Sequence, residues 1–313
     1  MRYIDSILFL GTAPFAVPSL ELLHTERFNL IGAVTRPDRP AGRGRQLKPS
    51  PVKESALKLG LSVYEPENKS ELDDLIARLN PRLVVNVAYG MFLSRKALSI
   101  PDLGSVNLHP SLLPLYRGAA PIQRTLMAGD TKTGVTVIYM ALKMDAGEII
   151  LQETVDISPG EDFGSLYERL SRSGALKLVE ALDFVIRGEA EPVPQLECEA
   201  TFAPPISGND EKIDWSTGAV EILNQIRALS PQPGAYTFLG NKRLKVWRAT
   251  ASQISQIGGK PPGTICSVGT DSFSVLTGEG ALQVLELQAE GKKRIKTAEF
   301  LKGCKLKPGE RFL

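Results

Sequence analysis

Short apolar runs alternate with helix-like segments through the first part of the chain. Continuous apolar runs have the length of buried strands at residues 7–11, 30–35, 61–64 and 83–88. The segments between them repeat their apolar side chains at helical spacing, at residues 15–24, 52–59 and 71–79. Strands that alternate with helices predict an α/β fold with a doubly wound, largely parallel sheet.

The pattern changes further along the chain. Residues 135–140 and 148–153 predict a β-hairpin, and residues 162–187 predict a long helix. Prolines then become frequent, at Pro192, Pro194, Pro204 and Pro205. A proline-rich stretch is typical of a linker. We therefore predict a first domain at residues 1–188 and a linker at residues 189–208.

Residues 209–313 show a different, strand-rich pattern. A helix is predicted at residues 220–229, and polar and apolar side chains then alternate at residues 244–248, 272–276 and 282–287. Glycine-rich breaks separate these segments. Antiparallel strands with such breaks predict a small β-barrel as a second domain.

Composition fits a globular protein. Of 313 residues, 42% are hydrophobic, which is enough for sizeable cores. Cys198, Cys266 and Cys304 are odd in number and widely spaced, so neither a disulfide framework nor a zinc site is supported. No stretch approaches the ~20 apolar residues of a membrane span. We expect a cytoplasmic protein with no membrane and no metal, and a monomer as the default.

Charge divides the chain more clearly than its net value of +2 suggests. Residues 209–313 contain 15 Lys and Arg against 10 Asp and Glu, which leaves 22 and 25 for residues 1–208. The second domain is therefore basic and the first acidic. One basic cluster consists of Lys242, Arg243, Lys245 and Arg248. A lysine-rich surface is usually only a solvated one, but on a small barrel it also fits nucleic-acid phosphates.

A second basic segment follows the predicted strand at residues 30–35. It contains a single acidic residue, Asp38. Its six basic residues are Arg36, Arg39, Arg43, Arg45, Lys48 and Lys53. Prolines and glycines there predict no regular structure. A loop of this length in a compact domain is usually functional or disordered. The segment therefore either binds phosphates at the edge of the sheet or is a mobile loop exposed to solvent.

The candidate chemistry lies where another buried strand ends. Residues 103–108 predict a strand that Pro110 terminates, which puts His109 at its carboxyl end, where open α/β sheets bind ligands. His109 can transfer a proton near neutral pH, Asp145 can fix its tautomer, and Asn107 can donate an N–H to an oxyanion. The chain has no Gly-x-Ser-x-Gly elbow, so we expect a substrate nucleophile to attack a bound carbonyl directly.

Each of these features also has a structural explanation. A single histidine after a strand is often a hydrogen-bonding residue of the fold, and Asp145-Ala-Gly147 alone is an ordinary turn. Gly11-Thr12 lacks the Gly-x-Gly-x-x-Gly pattern of a dinucleotide site, and a tight turn with a helix cap explains it better than the alternative, contact with a ligand. The complete string at residues 107–118, with the later Asp-x-Gly, favours a functional site.

That string resembles a known signature. Asn-x-His-Pro-Ser-Leu-Leu-Pro-x-Tyr-Arg-Gly, followed by Asp-x-Gly, resembles the signature of enzymes that use 10-formyltetrahydrofolate as a formyl donor. Further matches extend the resemblance over essentially the full chain, at residues 9–16, 89–90, 120–124 and 213–215. On these matches, the chain is similar to the methionyl-tRNA formyltransferase family.

The resemblance implies roles and substrates. The catalytic residues would be Asn107, His109 and Asp145. The folate contacts would be Ser111, Leu112, Leu113 and Pro114, and Tyr89 with Gly90 would line the same pocket. Arg43 matches the family's tRNA-contacting loop, and we extend the predicted tRNA contacts to Arg36, Arg45, Lys48, Lys242, Arg243 and Lys245. The second domain would be OB-like.

The implied reaction is formyl transfer from 10-formyltetrahydrofolate, a co-substrate, to the α-amine of methionine on initiator tRNA, for translation initiation. Two alternatives stay open. Related enzymes with the same signature formylate other amines, such as glycinamide ribonucleotide or amino-sugar nucleotides. A nucleic-acid-binding protein could also keep the domain only as a scaffold, although the complete set of Asn107, His109 and Asp145 disfavours this.

Overall fold

The structure is a computed structural model that describes residues 5–41, 46–252 and 259–313. The chain divides into two compact units. The first contains Met1–Pro121, Lys132–Asp156 and Tyr167–Ala203, and the second contains Ile122–Thr131, Ile157–Leu166 and Pro204–Leu313. Residues 189–203, which fall within the predicted linker, therefore belong with the first unit. Within the described ranges, every helix is too short or too polar to span a lipid bilayer.

The first unit is built from short strands and the helices between them. Its strands are β1 (Ile7–Gly11), β2 (Leu30–Val34), β3 (Arg39–Ala41), β4 (Gln46–Lys48), β5 (Val63–Tyr64), β6 (Leu83–Val87), β7 (Ser105–His109), β8 (Arg117–Gly118), β9 (Lys132–Tyr139), β10 (Ile149–Asp156) and β11 (Phe202–Ala203). Its helices are α1 (Val17–Thr25), α2 (Pro51–Lys58), α3 (Lys69–Leu79) and α4 (Arg95–Leu98), while α5 (Pro121–Ala128) and α6 (Phe163–Arg187) contribute residues to both units.

The main sheet of the described residues has the order β10-β9-β7-β6-β1-β2-β5. The pairs from β7 to β5 are all parallel, whereas β9 runs antiparallel to both β7 and β10. The predicted α/β fold with a largely parallel sheet is confirmed, and so is the hairpin. Because β1, β2, β6 and β7 are parallel, their carboxyl ends lie at one edge of the sheet, where such sheets bind ligands.

Burial explains why these segments form strands and helices. All five residues of β1 and of β7 are buried, as expected for strands covered on both faces. Helix α3 instead buries one face, with Leu72, Leu75 and Ile76 at helical spacing. It begins where Asn68 Oδ1 accepts a hydrogen bond from the Glu71 N–H at 3.1 Å.

One prediction for the first unit is wrong. Residues 35–51 were expected to have no regular structure, but β3 and β4 form a short antiparallel ladder with Arg39 opposite Lys48. Pro40 lies within the ladder, opposite Leu47. A two-stranded ribbon has an open edge on each strand, and an edge position tolerates a residue with no N–H. Prolines therefore did not prevent strand pairing here.

The second unit is strand-rich and antiparallel. Its further helices are α7 (Gly208–Glu211), α8 (Ala219–Ala228) and α9 (Thr297–Gly303), and its strands are β12 (Ala235–Leu239), β13 (Lys242–Ser252), β14 (Ile265–Val268), β15 (Phe273–Leu276), β16 (Ala281–Ala289) and β17 (Ile295–Lys296). The strand order is β12-β13-β16-β15-β14, with β17 on β16. The predicted antiparallel domain is confirmed.

Arg311 and Phe312 connect the two ends of this strand order, β12 and the start of β14. Leu239 in β12 pairs with Phe312, and Thr264, which precedes β14, pairs with Arg311. Closing a sheet in this way removes unpaired strand edges. The aromatic rings of Trp215 and Phe312 stack inside it, with centroids 5.7 Å apart.

We expect an ion pair to make the second unit sensitive to acid. Arg124 Nη1 and Nη2 donate to the Asp210 carboxylate at 2.6 and 3.0 Å, and these bonds hold the pKa of Asp210 well below its usual range. The pKa of Asp210 is lower in the folded chain than in the unfolded chain, where it is about 3.9. The ion pair therefore stabilises the fold fully at a pH above that unfolded pKa, and the stabilisation is lost as the pH falls toward the folded pKa. Asp210→Asn should lower the free energy of unfolding by about 2 kcal/mol at pH 7.

Urea unfolding of the parent and the variant at pH 7, 5 and 3 tests this expectation. The difference between them should be the same at pH 7 and 5 and smaller at pH 3. A difference that is absent at pH 7, or that already shrinks between pH 7 and 5, would contradict it. Glu199→Gln is the matched control because Glu199 is an exposed acid.

Candidate active site

The site begins where β6 and β7 end side by side. In this parallel pair, Asn86 of β6 lies opposite Asn107 of β7. Asn86 Nδ2 donates to Asn107 Oδ1 at 2.6 Å. The carbonyl end of the Asn107 amide is therefore occupied, which leaves its N–H₂ group as the donor. Asn107 is only 7% exposed, so this donor works in a poorly solvated place, where a hydrogen bond to a charged oxygen is strong.

His109 lies between two oxygen atoms. Its Nε2 is 3.0 Å from the carbonyl oxygen of Tyr116, and its Nδ1 is 3.6 Å from Asp145 Oδ2. A neutral imidazole can donate to only one of them, whereas the doubly protonated ring can donate to both. The distance to Asp145 is slightly longer than a hydrogen bond. A displacement of a few tenths of an ångström at Asp145 therefore makes or breaks this contact.

Asp145 lies in the connection between β9 and β10, in a tight turn. Its backbone φ is +51°, a left-handed conformation that Asp tolerates better than most residues. Its Oδ2 accepts a hydrogen bond from the Gly118 N–H at 2.9 Å. A Cβ at Gly147 would lie 1.7 Å from the carbonyl oxygen of Tyr139, so this turn requires glycine there. The Asp-x-Gly motif is thus explained by the turn that carries the carboxylate.

The Ser-Leu-Leu-Pro segment forms a firmly held loop immediately after β7. Ser111 Oγ donates to the carbonyl oxygen of Leu115 at 2.6 Å, and the Leu113 N–H donates to Thr136 Oγ1 at 3.2 Å. Ser111 and Leu113 are buried, while Leu112 and Pro114 are half-buried. The two half-buried residues are therefore the side chains that the segment offers to a ligand.

Tyr89 and Gly90 lie at the end of β6, on the same edge, and differ in what they expose. The Tyr89 side chain is 1% exposed and packs in the core with Leu93 and Ala97. Burial raises the pKa of Tyr89 to about 12, so its hydroxyl stays protonated at neutral pH. Gly90 is exposed, with φ +81°. At this turn, a ligand could reach the Gly90 backbone more readily than the Tyr89 ring.

The predicted basic contacts of the first unit are only partly within the described residues. Arg43 and Arg45 lie outside them. Arg36 is half-buried two residues after the end of β2, and its N–H donates to Thr12 Oγ1 at 3.3 Å. Lys48 is exposed at the end of β4. Arg36 thus lies at the carboxyl edge of the sheet, the edge at which His109 lies.

The predicted basic contacts of the second unit differ in their availability. Lys242 is exposed. Arg243 lies 3.5 Å from the Glu211 carboxylate and stacks on the Tyr236 ring, 3.7 Å from its centroid. Lys245 donates to the carbonyl oxygen of Pro233. Of these three cations, Lys242 is therefore the one with its charge most available to an anionic partner.

Comparisons with known proteins fit this geometry. The family model for formyl transferase matches residues 5–182, and the model for the formyl transferase C-terminal domain matches residues 205–305. The chain belongs to the formyltransferase family. The predicted family, methionyl-tRNA formyltransferase, is confirmed by these matches together with relatives of that name.

Named relatives match this formyltransferase along its length. The methionyl-tRNA formyltransferase of Symbiobacterium thermophilum is 45% identical over 98% of this chain and 94% of its own length. The methionyl-tRNA formyltransferase of Bacillus subtilis is 42% identical over 97% of this chain and 96% of its own length.

Solved structures share the fold. HypX from Aquifex aeolicus in complex with tetrahydrofolic acid has a TM-score of 0.65 and 17% identity, over 96% of this chain and 47% of HypX. An N-formyltransferase from Helicobacter canadensis in complex with folinic acid and dTDP-3-aminofucose has a TM-score of 0.66 and 18% identity, over 94% of this chain and 100% of its own. At these identities the likeness concerns the fold alone.

Three residues that lie next to the predicted site residues of this formyltransferase had no predicted role. Asn86 could have been suspected because it is a polar residue in the apolar strand at residues 83–87. Arg117 lies within the signature but had been given no role. Gln195 gave no signal, since it lies in the proline-rich stretch that predicted a linker. The described residues contain no group of three or more His, Cys, Asp or Glu side chains placed to hold a metal.

Proposed function

We propose that this formyltransferase transfers the formyl group of 10-formyltetrahydrofolate to the α-amine of methionine esterified to initiator tRNA. The observation that carries the proposal is the convergence of Asn107, His109 and Asp145 at the carboxyl edge of the sheet, with Asn107 oriented by Asn86. Relatives named methionyl-tRNA formyltransferase, matched over nearly the full chain, support the choice of acceptor.

In the proposed reaction, the unprotonated amine nitrogen forms a bond to the formyl carbon. The Asn107 N–H₂ group donates to the oxyanion of the tetrahedral intermediate. The intermediate collapses when the bond between that carbon and N10 of the folate breaks. The amine loses one proton and N10 gains one, and His109 carries it, with Asp145 holding the ring and balancing its charge.

We propose that the folate binds along the loop after β7 and the turn after β6. The residues would be Ser111, Leu112, Leu113 and Pro114, together with Tyr89 and Gly90. The half-buried side chains of Leu112 and Pro114 support packing against an apolar ring system. Because the Tyr89 ring is buried, its contribution would be to the shape of the turn rather than a direct contact.

We propose that tRNA phosphates bind the basic residues of both units, namely Arg36, Arg43, Arg45, Lys48, Lys242, Arg243 and Lys245. The net charge of +5 in residues 209–313 supports this assignment for the second unit. We further propose that the enzyme works as a monomer in the cytoplasm. The three free cysteines, Cys198, Cys266 and Cys304, fit a reducing compartment.

A single-turnover assay tests the proposed function. The acceptors are methionyl-initiator tRNA, free methionine, glycinamide ribonucleotide and a dTDP-linked amino sugar, each with 10-formyltetrahydrofolate. Rapid formylation of the charged tRNA alone, weakened by raising the salt concentration, is the expected result. Formylation of a small amine in preference to the tRNA would keep the chemistry and reject the acceptor. An absence of formyl transfer to every acceptor would reject the proposed reaction.

A pair of lysine variants tests the tRNA contacts. Lys48→Ala removes an exposed charge from the basic segment, and Lys58→Ala removes an exposed charge from the end of α2. We expect Lys48→Ala to raise the KM for tRNA about 5-fold, to leave kcat unchanged and to reduce the slope of log KM against log salt by about 1. Lys58→Ala should change none of these values. Indistinguishable behaviour of the two variants would remove Lys48 from the interface.

A further inference from the structure

We propose that Gln195, itself oriented by Arg117, is a positioning residue that holds Asp145 in its working place. The inference rests on the proposed function and adds two residues to the site to which the signature gave no role. Gln195 does not contact the reacting atoms in this proposal. It acts through the turn that carries Asp145.

Arg117 is the largest fully buried side chain in the described part of the chain, with 0% exposure. A buried guanidinium must have acceptors, because an unpaired buried charge is strongly unfavourable. Its Nε and Nη2 donate to Gln195 Oε1 at 3.0 and 2.8 Å, and its Nη1 donates to Glu197 Oε1 at 2.9 Å. Gln195 is thus one of the two side chains that satisfy this charge.

The two hydrogen bonds from Arg117 also decide which way the Gln195 amide points. Its oxygen faces the guanidinium, so its N–H₂ group faces the opposite side. There Nε2 donates to the carbonyl oxygens of Asp145 and Gly147, at 2.8 and 2.7 Å. A flipped amide would present its N–H₂ group to the guanidinium and its oxygen to two carbonyls, and both arrangements are unfavourable.

The two hydrogen bonds from Gln195 hold the turn at Asp145, where the backbone conformation is least favourable. Asp145 has a left-handed backbone, and such a conformation persists when the surroundings hold it. Gly118, the neighbour of Arg117 in β8, holds the carboxylate through its N–H. The carboxylate and the carbonyls of the turn are therefore both tied to the same two-residue strand. Because Asp145 Oδ2 is 3.6 Å from His109 Nδ1, a small displacement of the turn changes that contact.

Gln195→Glu separates positioning from simple anchoring. The carboxylate keeps both acceptor contacts with Arg117 but cannot donate to the carbonyls of Asp145 and Gly147. We expect kcat to fall by about 10- to 100-fold, with the KM for the folate and for tRNA within 2-fold of the parent. Gln195→Met removes the same donors without adding a charge and should give a loss of the same kind. Glu199→Gln, an exposed change in the same segment, is the control and should leave all constants unchanged.

A double-mutant cycle asks whether Gln195 acts through Asp145. In an Asp145→Asn background, Gln195→Glu should not lower kcat any further, because the Asp145 carboxylate that Gln195 positions is already absent. Full additivity of the two losses, or parental kcat in both Gln195 variants, would overturn the inference. The parent is assayed in parallel, so a failure of the proposed function appears as a parent without formyl transfer.

A spectroscopic measurement does not depend on turnover. The ring nitrogens of His109 can be followed by ¹⁵N NMR, with His24→Gln used to assign the other histidine. We expect the Nδ1 signal of His109 to move in Gln195→Glu and Gln195→Met and to stay in place in Glu199→Gln. Unchanged His109 signals in folded Gln195 variants would overturn the inference, whatever the acceptor proves to be.

Discussion

Replacing Asn107 with alanine should lower the single-turnover rate of formyl transfer by at least about 100-fold. The Asn107 N–H₂ group is the oriented donor at the end of β7, since Asn86 already occupies the Asn107 carbonyl oxygen at 2.6 Å. An oxyanion donor acts mainly on the transition state, so the KM for both substrates should change little. Single-turnover rates at saturating folate and tRNA measure the effect.

The partner variant Asn86→Ala provides the comparison. It keeps the Asn107 donor but removes the bond that orients it, so the loss of rate should have the same direction and be smaller. Thermal unfolding of both variants shows whether the fold is intact. A rate near that of the parent in folded Asn107→Ala would reject the role of Asn107 in catalysis.

Asp145→Asn should lower kcat on the order of 10³-fold. The asparagine can still accept the hydrogen bond from the Gly118 N–H, so the turn is expected to keep its shape. It cannot balance the charge of the imidazolium or reliably fix the ring, because its amide is neutral and can present either an oxygen or an N–H₂ group to His109. The measurement is kcat as a function of pH for parent and variant.

Asp102→Asn is the control for this prediction, because Asp102 is an exposed carboxylate in the turn before β7. Its kcat should equal that of the parent at every pH. A loss in Asp145→Asn that is no greater than the loss in Asp102→Asn would show that the carboxylate of Asp145 is dispensable.

The edge of the sheet that carries the site could be predicted because it depends on local sequence. An apolar run followed by Pro110 is enough to end a strand at His109, and parallel strands bring their carboxyl ends together. The pairing of Asn86 with Asn107 could not be predicted in the same way. It depends on the register of β6 against β7, and a shift of one residue would have put Asn86 on the other face.

Gln195 and the β3–β4 ladder were missed for a different reason. Gln195 lies in an irregular segment whose path is set by tertiary contacts, and no periodicity marks such a path. The ladder contains Pro40, which counts against a strand in a central position but not at an edge. Both cases depend on where a segment lies in the folded chain, which local pattern alone does not contain.

The buried Arg117 side chain depends on a segment of the chain that is synthesised much later. Its acceptors Gln195 and Glu197 follow it by 78 and 80 residues, so they leave the ribosome well after every strand of the main sheet. A nascent chain that ends before Gln195 therefore leaves the Arg117 guanidinium without either acceptor. The turn at Asp145 likewise gains its hydrogen bonds from Gln195 only when this later segment has docked.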